Sequence, residues 1–526
     1  MRIRLLSARL RVLLIVAVLA FGSLAGIWCA AVPGGTYTSA VSVITRQELR
    51  RHCEFLASDA LEGRETGTQG GQAAGAYVVA QLRKLKIRPA GVDGDYYQPF
   101  GNSRNIICRL NGSDPTLAKE YVIVGAHYDH VGRGSPRNSH GPIGYIHRGA
   151  DDNASGTATL LELVDAFRSL DVAPKRSIVF IFWDGEEQGL LGSEYWCQSP
   201  TVPLEGLKLV FNIDMVGRLR ENRAEVYGAR TAPGLREFLA ANNTDPGILL
   251  TFTWETRRDS DHYPFYARQI PFLMVFTGKH PEYHTPYDTA DKLNLEGMER
   301  VARFLFRTVY AAAQTPRLPG FRQAAFQEGS ALQESREAAA EIPPPRLGVT
   351  WDEGAAKRHL IEVTQADPGS AAEIAGIRPG DRIVKFDGAA VHDAADMREA
   401  VSDAPEETTA VVLHHGESAT HTLPLHLLGP AHPIGIFCRT DDAEPGCVIV
   451  SRVLRGSVAE RAGLRLGDRI LGVGKRAVGS EPDLSALLAR QTGTRTLEVE
   501  RDGELRALSV TLPQRDGGSI APSSPR

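Results

Sequence analysis

Two adjacent carboxylates, Glu186 and Glu187, lie just past an apolar, β-branched run from Ser177 to Phe182, in the stretch Ile181-Phe182-Trp183-Asp184-Gly185-Glu186-Glu187-Gln188-Gly189. The run reads as a buried strand and the glycines forbid it to continue, so the pair stands at a strand end. Neighbouring acids there are costly unless something positive is close. A divalent metal is the simplest answer: one Glu binds it while the other, held beside it, serves as the base for a metal-activated water. Taken alone, the pair would equally suit the start of a surface helix. The other motifs decide between the two.

From Glu120 onward the pattern is strand, loop, helix, strand, which predicts an α/β domain with a mostly parallel central sheet flanked by helices. Tyr121 to Ala126 is a strand delivering His127-Tyr128-Asp129-His130. Gly149-Ala150-Asp151-Asp152-Asn153-Ala154-Ser155-Gly156 is a turn that opens a helix, and Lys208 to Ile213 is a strand delivering Asp214. A last strand, Ile270 to Phe276, leads into a loop holding Tyr283-His284-Thr285. These groups follow strand ends, the edge where open α/β sheets place their sites. Upstream, Thr45 to Leu61 and about Gly71 to Lys86 read as helices, with Phe55 and Leu56 on the inner face of the first; Leu295 to Ala313 closes the domain. Collected, the chemistry-bearing set is His127, Asp129, Asp152, Glu186, Glu187, Asp214 and His284. Imidazole and carboxylate donors without cysteine suit a pair of zinc ions, with Asp152 well placed to bridge them.

These motifs resemble the co-catalytic di-zinc aminopeptidases, an exopeptidase group whose relatives include glutamate carboxypeptidases and single-metal glutaminyl cyclases. The resemblance covers roughly Leu56 to Ala313. It implies two Zn2+ per chain: Asp152 as the bridging ligand, His127 and Asp214 completing one position, Glu187 and His284 the other. It also implies Glu186 as general base, Asp129 orienting His127, and Tyr283 stabilising the tetrahedral intermediate. The activity implied is removal of N-terminal residues from peptides with a free N-terminus, through a hydroxide shared by the metals. Carboxypeptidase or dipeptidase action, glutaminyl-type cyclisation and a non-catalytic scaffold are the alternatives; intact Asp152, Glu186 and Glu187 argue against the last two. His130, His140, His147, His262 and His280 fall outside the ligand set, and Ser260-Asp261-His262 lacks the Gly-x-Ser-x-Gly elbow of a serine hydrolase. The loop Val131 to Arg148 is the candidate wall of the substrate pocket.

Beyond the stretch 316–344, rich in Ala, Glu, Gln and Pro and expected to be a linker, the chain repeats itself. Pro368-Gly369-Ser370-Ala371-Ala372-Glu373-Ile374-Ala375-Gly376-Ile377 followed by Gly380-Asp381-Arg382-Ile383 returns as Arg455-Gly456-Ser457-Val458-Ala459-Glu460-Arg461-Ala462-Gly463-Leu464 followed by Gly467-Asp468-Arg469-Ile470. This resembles tandem PDZ domains, small and β-rich. Their peptide-binding edges would begin at Leu347-Gly348-Val349 and Ile434-Gly435-Ile436, whose backbone N–H groups would capture the C-terminal carboxylate of a peptide ligand. The expected organisation is a peptidase domain over 40–315, PDZ domains over 345–429 and 430–514, and a polar tail over 515–526.

At 526 residues the chain calls for several domains; its net charge of −4 argues for no particular partner, and the lack of a basic stripe with interleaved aromatics speaks against a nucleic-acid binder. Arg2, Arg4, Arg9 and Arg11 precede an apolar stretch from Val12 to Val32. That is an export signal, cleaved after Ala31 or retained across residues 12–32 as a membrane anchor, and it places the protein in the periplasm or outside the cell. Of the six cysteines, Cys438 and Cys447 flank a polar hairpin segment and would be either a disulfide or two buried thiols.

Overall fold

A computed structural model describes residues 34–512, apart from 245–246, 342–344, 358–359, 430 and 489–492. The expected export segment at 1–32 and the tail at 515–526 lie outside the described residues; among those described, no helix is long and apolar enough to cross a membrane. The chain divides into two compact units, one spanning residues 34–333 and the other 334–512, with 442–444 and 502–504 grouped with the first.

The first unit is built on nine strands: β1 (Arg88–Pro89), β2 (Tyr97–Phe100), β3 (Ser103–Leu110), β4 (Tyr121–His127), β5 (Ser177–Trp183), β6 (Leu207–Ile213), β7 (Arg223–Tyr227), β8 (Leu249–Thr253) and β9 (Phe272–Phe276). They form one sheet in the order β1-β3-β5-β4-β6-β9-β7-β8, with β2 on β3. The sheet is mixed. Its centre, β5-β4-β6-β9, is parallel, while β3 and β7 run antiparallel to their inner neighbours. Every residue of β5 is buried, as expected of a central parallel strand covered on both faces. Alternate side chains enter different cores: Val122, Val124, Phe180 and Phe182 pack on one face, Ile123, Val179, Ile181 and Trp183 on the other. Each such side chain contributes roughly 1.5–3 kcal/mol on burial.

Helices α1 (Arg46–Leu56), α2 (Gln69–Lys84), α3 (Gly156–Arg168) and α4 (Leu295–Gln314) contribute to the first of these cores. Side-chain oxygens fix three of their starts: Thr45 accepts from the Glu48 N–H, Thr68 from Gly71 and Asn294 from Gly297. Helix α1 is shorter than the periodicity predicts, because Ser58 is extended and the chain re-forms only a short 3-10 turn at Asp59–Leu61. Only Leu56 of the pair Phe55 and Leu56 faces inward. Phe55 is 40% exposed and stacks on Tyr77, since neighbours on a helix point about 100° apart. The stretch 316–344 carries more structure than a plain linker. A 3-10 turn spans Gln323–Gln327 and a helix Ser330–Glu337, while Phe321 and Ala325 pack with Tyr266 in the second core.

The second unit contains two six-stranded antiparallel sheets, each with its own hydrophobic core. The repeated motif does the same work in both. Ser370 and Ser457 cap the short helices Ala371–Ile374 and Val458–Arg461, accepting from the N–H of Glu373 and Glu460. Asp381 and Asp468 accept from Arg378 N and Arg465 N, which closes the turn into the next strand. No disulfide joins Cys438 and Cys447. Cys438 sits opposite Val450 in the ladder, three positions from Cys447 along the partner strand.

Candidate metal centre

Five chain segments deliver side chains to the carboxyl edge of the parallel centre, His127 coming from the end of β4 itself. Pairing of His127 with Trp183 fixes β4 against β5, so the turn after Trp183 brings Glu186 and Glu187 to the end of β4. Asp214 follows β6 directly, and His284 lies in the loop after β9. Asp152 sits in the irregular turn that opens α3, which includes a cis peptide between Asp152 and Asn153.

Asp152 divides its carboxylate between two donor groups. Its Oδ1 lies 3.4 Å from His127 Nε2, which is also 3.4 Å from Asp214 Oδ1. Its Oδ2 lies 3.0 Å from His284 Nε2, which is 3.2 Å from Glu187 Oε2. Donors bound tetrahedrally to zinc at about 2.0–2.1 Å stand roughly 3.3 Å apart, so both groups have the spacing of a zinc shell. Two clusters of metal-ligating atoms result: His127, Glu186 and Asp214; and His130, Asp152, Glu187 and His284. Buried His284 Nε2 and Asp214 Oδ1 have no hydrogen-bond partner among the described residues. An unpartnered polar atom in a folded interior calls for an explanation, and a bound cation supplies one here. The residues therefore fit a pair of zinc ions.

The charge balance points the same way. Burial alone would lower both imidazoles, yet Glu186, Asp129 and Asp214 hold His127 well above its ordinary value, and Asp152 and Glu187 bring His284 up to about 10. The site demands positive charge. The adjacent glutamates are pushed apart. Burial, reinforced by Glu187, Asp261 and Asp214, raises the Glu186 carboxyl well above the usual range. Burial would raise Glu187 too, but the neighbouring imidazoles of His130 and His284 hold it well below. One of the pair is thus poised to take protons and the other to remain an anion.

A second layer holds these groups in place. Asp129 Oδ1 is 3.6 Å from His127 Nδ1, and its carboxylate accepts from the N–H of Glu186 and Glu187 at 3.2 and 3.3 Å, so it organises the glutamate turn as well as facing the imidazole. Ser260 Oγ donates to Asp214 at 2.7 Å, whereas His262 Nε2 lies 3.1 Å from the Arg257 carbonyl oxygen; this Ser-Asp-His run supports a ligand and forms no triad. Asp288 accepts from the N–H of Asp151 and Asp152. His284 Nδ1 is 2.7 Å from the Asn138 carbonyl, which brings the loop Val131 to Arg148 into the site through its backbone. Part of the same loop, with Pro286 and Tyr287, lines a cavity of about 620 Å3. Tyr283 stacks on His284 at 3.9 Å with the Lys279 ammonium over its ring, and burial raises its phenol.

Two residues to which the sequence reading gives no part in the site are prominent, Arg64 and His130, the latter set aside there from the ligand set. Arg64, fully buried, donates to the carbonyls of Leu56, Tyr128, Arg148, Gly149 and Asp152, tying the His127 and Asp152 loops together. His130 Nδ1 is 2.8 Å from Glu187 Oε1, on the side of that carboxylate away from His284. Gly149, at φ 55°, leaves room for the His130 ring; a Cβ there would collide with it and with the Asp152 carbonyl. The Asp129-His130 adjacency was the available signal for His130. Arg64 offered none, because its partners are backbone carbonyls.

Comparison with known proteins agrees with this geometry. Residues 105–309 match the model of Peptidase family M28, and residues 362–413 and 449–501 each match the PDZ domain model. Aminopeptidase YwaD of Bacillus subtilis is 29% identical over 210 residues, covering 38% of this chain and 43% of that protein. A probable leucine aminopeptidase of Arthroderma otae is 28% identical over 296 residues, 53% of this chain and 75% of that protein. A probable zinc metalloprotease of Pyrenophora tritici-repentis is 41% identical over 119 residues, 22% of this chain and 25% of that protein. The chain thus spans less than half the length of the Bacillus relative it matches.

Proposed function

We propose that this chain, a Peptidase family M28 domain followed by two PDZ domains, is an exported zinc aminopeptidase that takes two metals per chain. The observation that carries the reading is the split carboxylate of Asp152, one oxygen toward His127 and Asp214 and the other toward His284 and Glu187. Bound zinc supplies an acidified water and a Lewis acid for the scissile carbonyl. The chain's own residues supply the rest. Glu186, its carboxyl raised by burial and neighbouring acids, takes a proton and returns it to the leaving amine. Tyr283 keeps its phenolic proton and serves as a donor to the developing oxyanion. Asp129, Ser260, Asp288 and the Asn138 carbonyl hold the ligands so that little reorganisation is needed. The excess of buried carboxylate favours a substrate's free α-ammonium over a second carboxylate, which selects peptides with an open N-terminus.

Export through residues 1–32, and capture of peptide C-termini at the PDZ edge that begins at Leu347-Gly348-Val349, belong to the same proposal. The names of the M28 relatives, aminopeptidases and a zinc metalloprotease, support the activity. The test is release of free amino acids from short peptides with open or acetylated N-termini, by the wild-type chain and by Glu186→Ala. Turnover only of open peptides, lost in the variant with zinc content unchanged, is expected; turnover of acetylated peptides at equal rate would overturn the aminopeptidase assignment.

A further inference from the structure

The two loops that open the PDZ modules have matching sequences and different conformations. In the first, Gly348 alone takes a positive φ, of 73°. Leu347 and Gly348 border a cavity of about 290 Å3, whose walls include Trp351 and Val401 of the first module and Phe437 and Leu454 of the second. In the second loop both Ile434, at φ 56°, and Gly435, at φ 75°, are left-handed. A β-branched residue in that region is strained and persists only where its surroundings impose it.

The surroundings are visible. The Ile434 N–H donates to Asp403 Oδ1 at 2.9 Å, and the Gly435 N–H donates to the His432 carbonyl at 2.9 Å. Asp403 is the last residue of helix α5 (Ala394–Asp403), which belongs to the first module. The helix end is held to the second module on both sides of that bond. His432 N–H donates to the Ser402 carbonyl at 2.7 Å, Ser402 Oγ donates to the His432 carbonyl at 2.8 Å, and Arg461 pairs with Glu399 at 2.9 Å. Two amides of the second loop that would receive a peptide carboxylate are therefore already spent, one of them on a carboxylate.

We propose that Asp403 is an internal stand-in for a peptide's terminal carboxylate. It keeps the loop Ile434-Gly435-Ile436 closed, so the tandem unit offers one carboxylate-binding groove, that of the first module, until the seam along α5 parts. The proposal rests on the reading of these loops as carboxylate-binding edges. It changes what that reading predicts: two sequence copies, one available site, and a second site that a partner opens only by displacing Asp403.

The test uses the full chain and its Asp403→Ala and Asp403→Asn variants; asparagine keeps an acceptor at the same position. Hydrogen–deuterium exchange is followed in the fragment holding Ile434 and Gly435. Binding is measured with an N-terminally fluorescein-labelled pentapeptide ending in two valines, as the free acid and as the C-terminal amide. The label also blocks aminopeptidase attack. Expected are slow exchange in wild type, at least tenfold faster exchange in Asp403→Ala, near-wild-type exchange in Asp403→Asn, and a rise from one to two free-acid sites per chain in Asp403→Ala with no binding of the amide. Fast exchange in wild type, or exchange unchanged in Asp403→Ala, would overturn the closure. Faster exchange with the site count still one would overturn the stand-in role. If the free acid binds neither protein, the carboxylate-edge reading of both loops falls and takes the stand-in role with it, while exchange still reports on the closure.

Discussion

The sheet edge of the first unit and the loop seam of the second treat their carboxylates in opposite ways. At the sheet edge Asp129, Asp152, Glu186, Glu187, Asp214 and Asp261 converge, two of the imidazoles among them are drawn toward protonation, and donor atoms remain without partners. At the seam an Asp403 oxygen accepts the Ile434 N–H. A third case lies between α1 and α3, where Glu48, His52 and Glu162 approach one another as metal ligands would. There Arg51 Nη2 already sits 3.1 Å from His52 Nε2 and 2.6 Å from Glu48, and burial pushes Glu162 up to about 7. That cluster is served by a guanidinium and a proton. A group of acids reads as a metal site only where no resident cation reaches it.

The largest effect is expected at Glu186. Glu186→Gln should lower kcat by roughly 10²–10⁴-fold, as loss of a general base does, with zinc content unchanged by atomic emission. Loss of zinc would make Glu186 a ligand and merge the roles of the two glutamates. Next in size is Arg64→Lys. One ammonium cannot reach five carbonyls, so chemical denaturation should show the first unit destabilised by about 2–4 kcal/mol. A change below about 0.5 kcal/mol would mean that water replaces the fork at little cost.

His130→Ala should weaken zinc at the Glu187 and His284 position by about 10–100-fold in chelator competition, because the Glu187 carboxylate loses the partner on its far oxygen. His130→Asn, whose amide nitrogen can replace Nδ1, should restore most of that affinity. Failure of Asn to do so would show that His130 binds the metal itself. The smallest effect is a pH dependence. Glu162 has a folded pKa raised from 4.5 to about 7, so it adds stability at low pH that is lost as pH rises through 7. Removing the ionisation in Glu162→Gln should therefore leave stability near wild type at pH 5 and raise it by roughly 1–2 kcal/mol at pH 8 in denaturant titrations. A third zinc per wild-type chain, lost in this variant, would instead put the cluster between α1 and α3 in the same class as the sheet edge.

What could be read in advance follows from where the information resides. The apolar runs of β4, β5, β6 and β9 announce buried parallel strands, and the acids and imidazoles at their ends mark one edge; the structure brings all seven of those residues together there. The supporting layer was silent because it works through main-chain atoms. Arg64 grips five carbonyls, His284 meets the carbonyl of Asn138, and Asp288 receives two amides, none of which leaves a side-chain pattern. Phe55 and Leu56 could not both face inward, since adjacent positions on a helix diverge. The PDZ repeat was plain from Ser370 and Ser457, which cap equivalent helices, yet its copies differ because Asp403 lies outside the repeated motif.

The central claim is that Asp152 bridges two metal positions, and anomalous diffraction at the zinc edge from crystals of the full chain tests it most directly. The account predicts two peaks flanking the Asp152 carboxylate, one against His127 and Asp214 and the other against Glu187 and His284, and neither in crystals of Asp152→Ala. A single peak, or two peaks that survive the loss of the Asp152 carboxylate, would contradict it.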